Sequence, residues 1–576
     1  MRIFVRIFLV AGLLGLTGCT DQAATDKTDP RPNILLIVAD DLGYSDLGVF
    51  GGEISTPNLD ALAGAGKMLT NFHVAPTCSP TRAMLLSGAD AHRAGLGTMN
   101  GLESEEQKGK PGYEGFLNKQ IVTFVRLLKE AGYHTYMSGK WQLGYEYGYY
   151  PLDRGFEDAF WLKHGGASHF SDMRGIIETF PVAHWTEGEE RLKALPDDFY
   201  SSVNLTDKLI EYIDKNRTDG KPFFAYAAYT APHWPLQAPQ EYIDKYEGVY
   251  TGGYDDIRNK RIERMQAAGL IKTGQVPAPR HVEWPAWEEL SEEQKKFEVR
   301  RMQLYAAMVD ALDENIGRLI QYLKDSGEYE NTFILFFSDN GAEGNNPHDL
   351  FTNPVWVPAN FDNSYGNMGK PGSYVSTGPG WAHVSNTPFH MYKGFPTQGG
   401  MMSPTIAVYP EKIKAGGRSD AFISILDVAP TLLQLANVSH PAPEFQGRRV
   451  HPLIGKSFYP HLIGQQSVVH PPEQVYGIEL FNRRMIRQGD WKLLRNNQPW
   501  GKNGWALYDL GEDLGEQNDL AQSRPDKLRE MVALWEQYVE DNDVFVFEGL
   551  KIRFTNGKNH YLITDASASV DFPERN

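Results

Sequence analysis

The chain has 576 residues, long for one core, so two unequal domains are expected. Its composition, 41% hydrophobic and 22% charged, is that of an ordinary globular protein. A formal net charge of −17 lacks the basic balance of a nucleic-acid binder, and no nucleic-acid partner is expected. It leaves room for an anionic substrate, which a few local cations can hold.

At the N-terminus, Arg2 and Arg6 precede an apolar run from Ile7 to Leu16. Its length and flanks predict a cleaved export signal rather than a spanning helix. Leu16-Thr17-Gly18-Cys19 resembles the bacterial lipoprotein box, in which the cysteine is lipidated and becomes the first mature residue. Residues 1–19 are then the signal peptide and 20–32 a polar tether. The resemblance implies an exported protein attached to the cell envelope through lipid on Cys19. Thr20, rather than Asp, follows that cysteine, which points to the outer membrane and periplasm of a bacterium. The plainer reading is a soluble secreted protein with a chance cysteine. Cys78 is the one other cysteine, so lipidation of Cys19 leaves it without a disulfide partner.

Asn33–Ala39 is an apolar run bounded by Pro32 and Asp40, and residues 331–337 have the same character; both read as buried parallel strands. Met308, Leu312, Ile316, Leu319, Ile320 and Leu323 recur at helical spacing before the second run. Alternating strands and helices predict an α/β sandwich around a large, mostly parallel sheet. Residues 346–397 are rich in Gly, Pro, Asn and aromatics and read as a long irregular stretch, which in a compact domain is usually functional. From residue 441 the texture changes. Residues 485–494 look like a hairpin strand, 505–510 like another, and 528–539 like an amphipathic helix. The expected division is a catalytic domain over 33–440, a smaller α+β subdomain over 441–546, and a tail over 547–576 with no clear reading.

Each apolar strand runs into acidic residues: Asp40-Asp41 after the first, Asp339-Asn340 after the second. In open α/β sheets the carboxyl ends of strands carry the ligand site. If the strands are adjacent, these side chains meet, and the clustered carboxylates need a cation. Oxygen ligands select a hard ion, calcium or magnesium. Alone, either pair reads equally as a cap on the loop that follows. Cys78-Ser79-Pro80-Thr81-Arg82 lies just ahead of a helix whose first turn suits Pro80 and whose end suits Gly88. Such a helix start favours anions, and Arg82 adds a fixed cation one turn in.

The C-x-P-x-R pattern at Cys78–Arg82, followed by Gly88, resembles the sulfatase signature. The resemblance covers nearly all the mature chain. It takes in Asp40-Asp41-Leu42-Gly43-Tyr44, Gly139-Lys140-Trp141, the run 231–239 around His233, Ser338–Glu343, Lys393-Gly394, 425–433 and 487–492. The texture is most similar to bacterial calcium-dependent arylsulfatases of the alkaline phosphatase superfamily. The resemblance implies an alkaline-phosphatase-like sandwich and hydrolysis of sulfate monoesters. It implies that Cys78 is oxidised after translation to formylglycine, by a formylglycine-generating enzyme or a radical maturase, and that the hydrated aldehyde is the nucleophile. It implies one calcium ion held by Asp40, Asp41, Asp339 and Asn340, with the residue derived from Cys78 near it. Arg82 would steady that residue, Lys140 and Lys393 would contact sulfate oxygens, and His233 would protonate the leaving alcohol. Taken singly these residues have plainer readings: solvated lysines, a packed loop histidine, an arginine on a helix surface.

Two positions depart from the family. Gln142 stands where the family has the histidine that takes a proton from the sulfated hemiacetal, and an amide cannot titrate near neutrality. His73, His164, His169 and His383 are the candidates to replace it. The family also carries an arginine near Met402, absent here. Two other functions remain in view. One is a phosphonate monoester or phosphodiester hydrolase, against which the 231–237 segment speaks. The other is a surface lipoprotein that binds sulfated ligands without turnover, for which Gln142 is the support.

Overall fold

The computed structural model describes residues 31–347, 353–502, 504–546, 551–555 and 559–563. The expected signal peptide, Cys19, the tether up to residue 30 and most of the expected tail lie outside the described residues. Within the tail, Lys551–Thr555 and Asn559–Ile563 pair as an antiparallel hairpin.

The first apolar run forms strand β1 (Asn33–Ala39), buried along its whole length. Side chains on a strand alternate between faces, and here both faces are covered. Leu35, Ile37 and Ala39 belong to one hydrophobic cluster, while Ile34, Leu36 and Val38 belong to the other. That two-sided burial is why the run is continuously apolar rather than alternating. The remaining main-sheet strands are β2 (Lys67–His73), β3 (His134–Lys140), β4 (Asp158–Leu162), β5 (Trp185–Glu187) and β6 (Glu190–Arg191). They continue with β7 (Phe223–Ala228), β8 (Thr332–Ser338), β9 (Met402–Val408) and β10 (Gly417–Ser419). The sheet order is β10-β2-β9-β8-β1-β7-β3-β4-β5-β6, with Ile423–Ser424 also beside β2. Strands β8, β1, β7, β3 and β4 are mutually parallel, and the two flanks carry antiparallel pairs.

Helices cover both faces. Helices α1 (Pro57–Ala65), α4 (Ser201–Asn216) and α5 (Glu292–Asp325) bury Leu59, Leu209, Leu312 and Leu319 in the first cluster. Helices α2 (Cys78–Ser87), α3 (Phe124–Glu130) and α6 (Val428–Leu435) bury Leu85, Val125 and Leu432 in the second. Helix α5 starts with a reciprocal cap: the Ser291 hydroxyl accepts from Gln294 N, and the Gln294 amide oxygen accepts from Ser291 N. Cys78 is itself the first residue of α2, whereas the sequence suggested a helix starting just after it. Gly88 closes that helix in the left-handed region at φ 62°.

A second, four-stranded antiparallel sheet lies C-terminal to these elements: β11 (Val475–Leu480), β12 (Arg483–Gln488), β13 (Trp491–Arg495) and β14 (Ala506–Asp509). The stretch read as one hairpin strand is two strands. They pair at Gln488 and Trp491 across Gly489-Asp490, with Gly489 at φ 58°. One face packs on helix α7 (Pro525–Asp541) through Ile486, Leu493, Met531 and Trp535. Ile478, Met485 and Leu494, from the other face, join the second cluster of the main sheet. The stretch 346–397, read as irregular, holds helices at Asn353–Asn360 and Pro379–Ser385.

Candidate active site

Strands β1 and β8 run parallel in register, Ala39 opposite Ser338, so the residues that follow them emerge side by side. Asp339 N donates to the Ala39 carbonyl at 3.1 Å, extending the ladder by one bond. Asp41 then turns into the left-handed region at φ 67°. Its backbone N–H donates to Asp339 Oδ1 at 3.4 Å. Helix α2 brings Cys78 to the same place, its Sγ 3.5 Å from Asp40 Oδ1. Strand β3 delivers Lys140. Just before it, Gly139 sits so close to β7 that a Cβ would lie 1.8 Å from the Ala228 carbonyl oxygen; its φ of 121° also favours glycine.

The cations are paired with the carboxylates. Arg82, fully buried, donates from Nε to Asp339 Oδ2 at 2.9 Å, with Nη2 2.7 Å from the same oxygen. Its Nη1 reaches the Lys140 carbonyl at 3.1 Å and the Tyr226 hydroxyl at 3.3 Å. Lys140 Nζ lies 2.6 Å from Asp40 Oδ2. Lys393 Nζ lies 2.8 Å from Asp41 Oδ1 and 3.4 Å from Glu343 Oε2. Burial pushes the Asp41 carboxyl up, but Lys393, His233 and Lys140 outweigh it and hold the group at about 2. Burial and Asp40 raise Asp339 despite Arg82. Burial raises the Cys78 thiol, and Asp339 and Asp40 add to it.

His233 Nε2 lies 3.6 Å from Asp41 Oδ2, and its Nδ1 donates to the Trp234 carbonyl at 2.6 Å. Burial, with Lys393 and Lys140, pushes it well below the ordinary histidine range against the pull of Asp41. The imidazole is therefore neutral here, and Nε2, bare of a proton, faces the carboxylates.

Every site residue singled out in the sequence except Gln142 is thus joined in one buried network. The metal candidates divide within it. Asp40, Asp41, Cys78 and His233 each offer a ligand atom within 4.8 Å of the others, so His233 stands in this cluster as well as beside it. Asp339 is turned toward Arg82. Asn340 donates from Nδ2 to Asp41 Oδ1 at 2.7 Å, which leaves its Oδ1 buried with no hydrogen-bond partner among the described residues. An unpartnered amide oxygen, on a side chain whose nitrogen meets the Asp41 carboxylate, adds an oxygen donor of the kind a hard cation takes. Formally, Asp40, Asp41, Asp339 and Glu343 place four carboxylates against the three cations Arg82, Lys140 and Lys393.

Gln142 is buried, at φ 54°, and its Oε1 has no hydrogen-bond partner among the described residues. Of the four histidines considered as substitutes, His73 bonds Gln398 and Arg487, and His383 lies among aromatic rings beside Trp284. His169 bonds Ser201 Oγ at 2.7 Å and the His233 carbonyl at 3.0 Å, so it props the His233 loop. His164 precedes Gly165, whose missing Cβ would lie 2.5 Å from Gln142 Nε2. That imidazole stacks on Phe180 with centroids 4.1 Å apart.

Glu343 and Tyr226 belong to the network but carried no assignment from the sequence. Glu343 sits inside the Ser338–Glu343 motif, so a signal was there. Tyr226 is one polar residue in an otherwise apolar strand, which points to nothing by itself. Arg483 of β12 donates to the Gly394 carbonyl and stacks over Phe395 at 3.6 Å. A fixed charge from the C-terminal sheet thus stands beside Lys393.

Comparisons with known proteins agree with this geometry. Residues 32–438 match the family model described as Sulfatase, and residues 390–541 match N-sulphoglucosamine sulphohydrolase, C-terminal. The chain is 45% identical over 525 residues to an uncharacterized sulfatase of Schizosaccharomyces pombe, covering 89% of this chain and 94% of that one. It is 42% identical over 435 residues to an arylsulfatase of Klebsiella aerogenes, covering 74% and 91%. Among solved structures, Ps i-CgsB in complex with a neocarrahexaose superposes with a TM-score of 0.64 at 24% identity, covering 89% and 93%. The putative sulfatase yidJ from Bacteroides fragilis gives 0.60 at 20%, covering 90% and 98%. These two show the shared alkaline-phosphatase-like fold. With the sulfatase family model spanning the whole main sheet and the site at its carboxyl edge, the chain belongs to the sulfatase family and is a sulfuric ester hydrolase.

Proposed function

We propose that the chain cleaves sulfate monoesters with a formylglycine made from Cys78 and a calcium ion held by Asp40, Asp41, Asn340 and Asp339. The buried cluster of Asp40, Asp41 and Cys78, whose ligand atoms lie within 4.8 Å of one another, carries this reading. A divalent ion would turn the formal excess of one negative charge into one positive charge, matching a sulfate monoester anion. When bound, such an ion polarises an oxygen of the sulfate, and the hydrated aldehyde of formylglycine supplies a hydroxyl nucleophile.

The chain's own side chains do the rest. Arg82 fixes Asp339, the end of β3 and Tyr226 of β7 through four nitrogen contacts and so holds the floor of the site. Lys140 and Lys393, each held against a carboxylate, place their ammonium groups where sulfate oxygens gain charge as the ester bond breaks. His233 shields one side. As a neutral imidazole it becomes a proton donor to the leaving oxygen only when it acquires a proton in the substrate complex.

One experiment tests the reading. In protein purified from its native host, the tryptic peptide carrying Cys78 should show the mass loss of thiol to aldehyde, and the protein should hold about one calcium per chain. Asp40→Asn should lower calcium content and arylsulfatase turnover together. A peptide that remains a thiol in active enzyme, or activity that survives removal of all divalent ions, overturns it.

We further propose export and attachment to the outer membrane through lipid on Cys19. Among the described residues no helix is long and apolar enough to cross a membrane. Cys19→Ser should move the protein from the membrane fraction to the soluble fraction with turnover unchanged; continued sedimentation with membranes would count against the lipid.

A further inference from the structure

Four cations meet in a second cavity, built from other residues than the site above. It has a volume of about 210 Å³, and its polar lining includes Lys119, Arg126, Asp153, Arg154, Gln446 and Arg448. It forms where the loop before α3, α3 itself, the short turn Leu152–Arg154 and the hairpin of Glu444–Phe445 with Arg448–Arg449 come together. The space far exceeds the roughly 10–15 Å³ that admits one water.

The charges in it are not balanced. Arg154 is 7% exposed; its two terminal nitrogens hold the carbonyls of Leu117 and Asn118, and its Nε has no hydrogen-bond partner among the described residues. Arg126 donates from Nη2 to the Asp153 carbonyl at 3.2 Å rather than to a carboxylate. Among the described residues none of the four cations is ion-paired. Asp153 is the one carboxylate in the lining, and its Oδ2 already accepts from Tyr150 N at 2.9 Å. Burial, Arg448 and Arg126 together hold Arg154 down at about 10. A chain with a formal charge of −17 has acidic residues to spare, yet it brings none but Asp153 to this cavity. The guanidinium groups of Arg126 and Arg448, both lining the cavity and neither ion-paired among the described residues, match the oxygens of a small oxyanion.

We propose that this cavity binds a sulfate group as a second anion site. The family shown above acts on sulfate esters, so the group reaches the protein in two forms. One is free inorganic sulfate released by turnover; the other is a second sulfate on a substrate that carries more than one. Both present the same tetrahedral oxygens to Arg126 and Arg448, with Arg154 adding buried positive charge behind them.

Equilibrium dialysis of the full matured enzyme against radiolabelled inorganic sulfate tests the site. The comparison is the double variant Lys119→Glu, Arg448→Glu, which alters two exposed side chains outside the catalytic network. The wild type should bind one more sulfate per chain than the variant, while turnover of a monosulfated aryl ester stays the same in both. Kinetics with a disulfated and a monosulfated saccharide then separate the sources. If the second sulfate of the substrate uses the cavity, KM for the disulfated sugar rises roughly 10-fold in the variant and KM for the monosulfated sugar does not. If free sulfate is the ligand, neither KM moves and the lost binding remains. Should the double reversal disrupt folding, Arg126→Gln reads the same loss as a weakened second site. Equal sulfate stoichiometry in wild type and folded variants overturns the proposal.

Discussion

In the mechanism proposed above, Gln142 sets the pace of the chemistry. It occupies the position of a titrating base, is buried, and leaves its amide oxygen without a partner among the described residues. The network of Lys140, Lys393, Arg82 and His233 is intact, so departure of the alcohol has all its side chains. In that proposed mechanism, release of sulfate is the half that lacks a base. With a good aryl leaving group, rapid mixing should give a burst of alcohol followed by slower steady release. Gln142→His should speed the slow phase by up to the ~10² to 10⁴ of a positioned base. The absence of a burst, or a loss of rate in the variant, would overturn this role for position 142 or the geometry it assumes. His164 is the one of the four considered histidines whose neighbour abuts Gln142, and burial with His184 holds it at about 3, too low to serve well as a base at neutral pH. That Cys78, Arg82 and the acidic pairs come together is legible in the sequence because their spacing within single motifs is fixed. The surroundings of Gln142 were not, because Gly165 meets it from a distant loop.

The joint between the two sheets carries a titration of its own. His92, 2% exposed, is clamped between Asp90, at 2.9 Å from Nδ1, and Glu479 of β11, at 3.1 Å from Nε2. The Tyr538 hydroxyl of α7 donates to the other Asp90 oxygen at 2.8 Å. Burial alone would lower this histidine, but the hydrogen bonds to Asp90 and Glu479 overcome it and raise it to about 9. Its folded value thus lies above its unfolded one, so the bound proton stabilises the fold fully below about pH 6.5. That contribution fades as the pH rises through about 9. The rise corresponds to roughly 3 kcal/mol at most. Urea midpoints should therefore fall between pH 6.5 and 9, and His92→Gln should flatten that part of the profile; an equal slope in both proteins would remove the clamp from the account. Element by element, strands such as β1 and β8 could be read from sequence because burial on both faces keeps polar residues to their ends. The edge strands β5, β6 and β10 have two or three residues each and no periodicity to detect. The two helices inside 346–397 are hidden by Pro and Gly, which suggest loops even where tertiary packing holds a turn or two of helix.

Taken together, the molecule opposes its own substrate at long range. The formal charge is −17, and a sulfate monoester is an anion. Lys140 and Lys393 are neutralised locally by Asp40 and Asp41, so they project little field beyond the site. No motif in the sequence reveals this balance, because it depends on which carboxylate the fold sets against which ammonium. Screening should then help association. The Debye length shortens from ~30 Å at 0.01 M salt to ~8 Å at 0.15 M, which removes most of the repulsion between the acidic surface and an incoming anion but leaves buried contacts untouched. With an aryl sulfate and sodium chloride as the added salt, kcat/KM should rise about two- to fivefold over that range while kcat stays constant, since steering acts on encounter. A fall in kcat/KM over the same range would mean that local cations steer the substrate after all. Repeating the titration with the Lys119→Glu, Arg448→Glu chain would then say whether the basic cavity is the source of that attraction.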